Sequence, residues 1–83
     1  METKKFEILL EAYRSIYPKS IQPNRLRLEI SSEDLKSINQ DLLDYGLIET
    51  TKEDFGDFDK YKISMEGLSA LKIGVEEYFY LNY

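Results

Sequence analysis

Few residue types in this chain could carry chemistry. Among its 83 residues are 16 Asp and Glu and 11 Lys and Arg, with no His and no Cys. Without imidazole or thiolate there can be no disulfide, no metal centre of the thiolate or imidazole type, and no triad built on His or Cys. The densest acidic run is Glu53-Asp54-Phe55-Gly56-Asp57-Phe58-Asp59. Asp54, Asp57 and Asp59 supply the oxygen ligands that Ca2+ or Mg2+ prefers, but their spacing is not that of an EF-hand loop, and no Glu stands at its bidentate position. Asp54-Phe55-Gly56 spells a kinase tripeptide, yet no glycine-rich loop or catalytic loop accompanies it. General acid–base catalysis would need two carboxylates converging in a pocket, and no spacing here brings two together. The expectation is therefore no enzyme, no metal and no cofactor.

The charges that remain act through their distribution. The net charge is −5, made up of +2 over residues 1–30, −6 over 31–60 and −1 over 61–83. An acidic field repels phosphate and anionic membrane surfaces but does not disfavour protein partners. The N-terminal METKKFEILLEAYR carries charges inside its apolar pattern, which fits neither a signal peptide nor a membrane span. No membrane association is expected, and the absence of Cys fits a cytoplasmic protein.

A single domain over residues 1–83 must position these groups. Its safest element is a helix over 31–45, where Leu35, Ile38 and Leu42 repeat on one face and Leu43 widens the stripe. Ser31 is its candidate N-cap, Ile30 and Leu35 occupy the two positions of a hydrophobic staple, and Gly46 is placed for the left-handed turn that ends it. Phe6, Leu9, Leu10 and Tyr13 predict an earlier amphipathic helix over 3–17, closed by Pro18. Ile21 can supply one extended residue in the connector that follows. Pro23 suits the first turn of a short helix over 23–28, although Leu26, Leu28 and Ile30 equally alternate as a strand. Residues 47–52 and 60–64 predict a β-hairpin around the acidic loop. Ser64 then caps a last helix over 65–81, with a weak or bent point at Gly74.

This order, with three local motifs, resembles the winged helix-turn-helix domains of small bacterial and archaeal regulators. Ile30-Ser31, the helix, and then Gly46-Leu47-Ile48-Glu49 look like the frame around that family's recognition helix. The hairpin over 47–64 corresponds to the wing. Ile63-Ser64-Met65-Glu66-Gly67 and Leu71 match the family's frequent start to its last helix: Ile or Leu, Thr or Ser, then Gly three residues on and Leu four further. The resemblance covers residues 24–72. It implies an α+β, mostly helical winged helix: a three-helix core, a two-stranded β-hairpin wing and a C-terminal helix.

The same resemblance implies a DNA-binding transcription regulator whose third helix, over 31–45, enters the major groove. Its base-facing candidates are Ser32, Glu33, Lys36, Ser37 and Gln40, and Asn39 or Gln40 could read adenine. The wing tip would be residues 53–60. Phosphate-contact candidates are the basic residues outside that helix, Lys19, Arg25 and Arg27. The aromatic C-terminus cannot bury every side chain on one core, since consecutive helical residues point about 100° apart. That makes Tyr78, Phe79, Tyr80 and Tyr83 candidates for a homodimer interface. Glu33, Asp34, Asp41 and Asp44 oppose Lys36 on the exposed side of the helix, which suits two further partners. One is a basic protein bound by an acidic interaction module; the other is a nucleic-acid-binding protein whose site an acidic mimic would occupy.

Overall fold

The computed structural model describes residues 3–51 and 60–82. Among them the fold is α+β and mostly helical, with four α-helices and one two-stranded antiparallel sheet. No helix among the described residues is long and apolar enough to cross a membrane.

Helix α1, Lys4–Ser15, buries Phe6, Leu9, Leu10 and Tyr13, an i, i+3, i+4, i+7 set on one stripe. It packs against α2, the sheet and α3, and so runs through the centre of the core. Beyond Pro18 the chain extends. Ile21 exchanges both backbone hydrogen bonds with Tyr61 at 2.9 Å, adding a one-residue bridge beside the hairpin.

The helix expected over 23–28 is a single 3-10 turn, Pro23–Arg25, after which Leu26 is extended. Leu26, Leu28 and Ile30 are half-buried while Arg27 and Glu29 are exposed. The period-2 pattern prevails because a helix could not turn all three apolar side chains toward the same neighbour.

Helix α2, Ser32–Asp44, begins and ends on local chemistry. The Ser31 hydroxyl accepts from the Asp34 amide at 3.2 Å. At the other end Gly46 has φ +75°, its amide donates to the Leu43 carbonyl and the Leu47 amide to that of Leu42. This is the Schellman arrangement, which needs a residue free to adopt positive φ.

Strands β1, Ile48–Thr51, and β2, Lys60–Ile63, pair with Ile48 opposite Ile63 and Glu49 opposite Lys62. The first pair is buried, and the second forms an exposed ion pair at 3.8 Å. Residues 53–59, with the wing tip and Asp54, Asp57 and Asp59, lie outside the described residues.

The last helix is two helices, not the one expected over 65–81. Helix α3, Met65–Ile73, stops at Gly74, and α4, Val75–Asn82, starts directly after it. Gly74 has φ +107° and ψ +128°, a conformation that side chains rarely adopt, so the glycine breaks the helix rather than bending it. The change of direction lets Phe79 close on Phe6 and Tyr45, with ring centroids 5.8 and 4.8 Å away.

Ser64 ties α3 to the rest. Its hydroxyl accepts from the Gly67 amide at 3.0 Å and donates to the Gly46 carbonyl at 2.6 Å. A Cβ on Gly67 would overlap the Leu47 carbonyl oxygen and come within 2.6 Å of Ile63 Cγ1. The glycine is there because the α3 backbone lies directly on the backbone that leaves α2.

Candidate nucleic-acid interface

The site is the outer side of α2. Ser32, Glu33, Lys36, Ser37 and Gln40 are all exposed on it, with the spacing that gathers residues three and four apart. Glu33, Lys36, Ser37, Gln40 and Asp41 line one shallow depression. The amide of Gln40 donates to Asp44 at 2.9 Å, so a nucleobase would have to compete for it. Glu33, Asp41 and Asp44 are exposed on the same helix as Lys36. Asp34 is already matched: Lys5, from the start of α1, reaches its carboxylate at 3.0 Å and holds it below the usual carboxylate range.

The phosphate-contact candidates are exposed but not gathered by any contact. Arg25 donates to the Gln22 side chain at 3.2 Å, while Arg27 stands in the extended run that follows. Lys19 lies two residues before the Ile21 bridge. The aromatic C-terminus divides. Phe79 is 5% exposed and belongs to this chain's own core, which corrects its reading as an interface residue. Tyr78 is half-buried, edge-on to Phe79 at 5.8 Å. Tyr80 and Leu81 are exposed at 82% and 62%. Tyr83 lies outside the described residues.

Asn39 is the main correction within the helix. It cannot read a base, being 6% exposed, and its Oδ1 accepts the Tyr13 hydroxyl at 2.5 Å. Burial pushes the Tyr13 phenol well above its ordinary range, and the nearby Tyr61 phenol adds to the effect. The signal for its burial was available. Asn39 falls four residues after Leu35 and three before Leu42, so it belongs to the buried stripe.

Beside that stripe lies a groove. It occupies about 610 Å3 between residues 22–30 and α2, with Leu26, Leu28, Ile30 and Leu35 as apolar lining. Ser32, Lys36 and Gln40 form its outer wall, and they also belong to the base-facing set. No family model, curated protein or solved structure matches the chain.

Proposed function

We propose that this chain is a winged-helix domain acting as a small DNA-associated transcription regulator. Helix α2 is offered to the major groove, the hairpin serves as the wing, and α4 pairs two copies. One observation carries the reading: α2 stands at the surface with Ser32, Glu33, Lys36, Ser37 and Gln40 exposed together, while its end is locked to the hairpin through Gly46, Leu47 and Ser64. In such an arrangement Lys36 can contact guanine, Glu33 can accept from cytosine N4 and Gln40 can pair with adenine once it leaves Asp44. Arg25, Arg27 and Lys19 would hold phosphates and so set the register. Exposed Tyr80 and Leu81, with Tyr78 beside them, give the homodimer its apolar contact and present two α2 helices to two half-sites. This role places the protein with the DNA, in the cytoplasm.

The test is fluorescence anisotropy of a labelled mixed-sequence duplex at roughly 50 mM salt. Binding that weakens steeply as salt rises is expected. No binding at high micromolar protein would sink the reading.

A second reading has its own observation, the acid excess of Glu33, Asp41 and Asp44 on the same face. It makes α2 the contact for a basic protein partner. Glu33→Lys with Asp41→Lys separates the two: the double variant should bind duplex DNA more tightly in either case, but it should lose a basic partner.

A further inference from the structure

We propose that the groove between residues 22–30 and α2 binds a small amphipathic organic anion. Its apolar body would lie against Leu26, Leu28, Ile30 and Leu35, and its carboxylate would sit on Lys36 and Asn39.

Three features point to this chemistry. The first is size and lining. About 610 Å3 falls within the range of small-molecule sites, roughly 300–1,000 Å3. The four apolar residues along it are only half-buried, unlike Leu9, Leu10, Leu42 and Leu47, which are fully buried. They retain apolar surface that a ligand would remove from water.

The second is charge. Among the described residues no acidic side chain lines the groove, whereas Lys36 does. Glu33 and Asp41 line the neighbouring depression instead. A groove kept clear of acid in a protein of net charge −5 favours an anion over a cation.

The third is Asn39. It is more than nine-tenths buried and lines the groove, and Tyr13 uses only its Oδ1. Its amide nitrogen makes no hydrogen bond within the described residues, yet it is not sealed from the surface. The amide of a residue lining the groove can donate to an acceptor bound there. Asn39 and Lys36 are three residues apart on one helix, close enough for one carboxylate to accept from both.

Binding stands on the groove itself. Its use as a signal rests on the regulator reading, since Ser32, Lys36 and Gln40 serve the groove and the base-facing set alike. A bound anion would take Lys36 away from DNA.

The test needs no DNA, so its failure is distinct from failure of that reading. The 15N-labelled chain is titrated with 2-naphthoate and, separately, with the uncharged 2-naphthamide. Expected are saturable shifts of the Asn39 side-chain NH2 and of backbone amides in 26–30 and 35–40. The naphthoate should bind roughly fivefold more tightly, the worth of a half-solvated ion pair. Lys36→Gln, an exposed substitution, should erase that difference. The proposal is overturned by an absence of saturable shifts, by shifts centred on Tyr80 and Leu81, or by equal affinity for acid and amide.

Discussion

The two ends of α2 sit in surroundings built by opposite rules. At its C-terminal end Gly46, Leu47, Ser64 and Gly67 meet with backbone against backbone, the carbonyls of Leu42, Leu43, Gly46 and Leu47 each accept a hydrogen bond, and Leu42 and Leu47 are fully buried. Along its N-terminal half the neighbouring chain, a 3-10 turn at Pro23–Arg25 and then an extended run, leaves its own leucines half-buried and borders a groove. The first region has no room to change and determines the fold. The second has room and carries the exposed polar groups, where binding to another molecule can still gain free energy. A scaffold with a sharp junction on one side and an unfilled seam on the other can bind without disturbing its own core.

The sharpest way to break the comparison is one substitution on each side. Gly67→Ala should cost about 3 kcal/mol, because the new Cβ meets the Leu47 carbonyl and neither backbone can yield. Against a stability of about 5–15 kcal/mol, typical of small domains, that loss is plain in urea denaturation. Leu28→Ala, deleting far more volume from a half-buried side chain at the groove, should cost only about 1 kcal/mol. Equal costs would mean that the seam is packed as tightly as the junction.

Much of this was legible in the sequence where the deciding contacts are local. Ser31 and Gly46 bound α2 through hydrogen bonds within a few residues, and the stripe of α1 needs only its own periodicity. Residues 23–28 stayed open because Pro23 signals a helix start while Leu26, Leu28 and Ile30 signal an extended chain, and tertiary contact decides between them. Asn39 shows the limit more clearly. Its burial follows from its spacing on the stripe, but its partner Tyr13 is 26 residues away, and nothing local points to that partner. The exposure of the candidate site's members follows from helical spacing, while their choice as base-facing residues rests on the resemblance. The groove does not follow from spacing, because it is formed between segments far apart in the chain, residues 22–30, α2 and Tyr61.

Tyr13 lies where the two regions meet, with its ring in the core and its hydroxyl on Asn39. Tyr13→Phe should cost about 1–2 kcal/mol, since it strips the partner from a buried amide oxygen. It should also change the alkaline limb of the stability curve. In the unfolded chain the phenol ionises near pH 10, while in the fold it stays neutral beyond that. The native chain therefore keeps this contribution below about pH 10 and loses it as pH climbs toward the raised folded value. Denaturation at pH 8 and pH 10.5 should show a steeper loss for the native chain than for the Phe variant. Parallel losses would mean that the phenol titrates as if exposed.

The smallest effect tests the solvated side. Lys5 and Asp34 form an exposed pair at 3.0 Å joining the starts of α1 and α2, and Lys5 depresses the Asp34 titration through a hydrogen bond and its charge. A carboxylate depressed in the fold contributes stability above the unfolded range near pH 4, lost as pH falls through the folded value. Lys5→Ala should return Asp34 toward ordinary titration, read by NMR of its carboxyl carbon, with no resolvable change in melting temperature. The same substitution leaves Asp34 unmatched beside Glu33 and makes the start of α2 more acidic. If that surface meets phosphate, the variant should bind duplex DNA more weakly at low salt, and the deficit should fade as salt screens it. If it meets a basic protein, the added charge should tighten that contact instead. One exposed lysine, nearly silent in stability, thus asks which sign of partner the loosely built side of α2 serves.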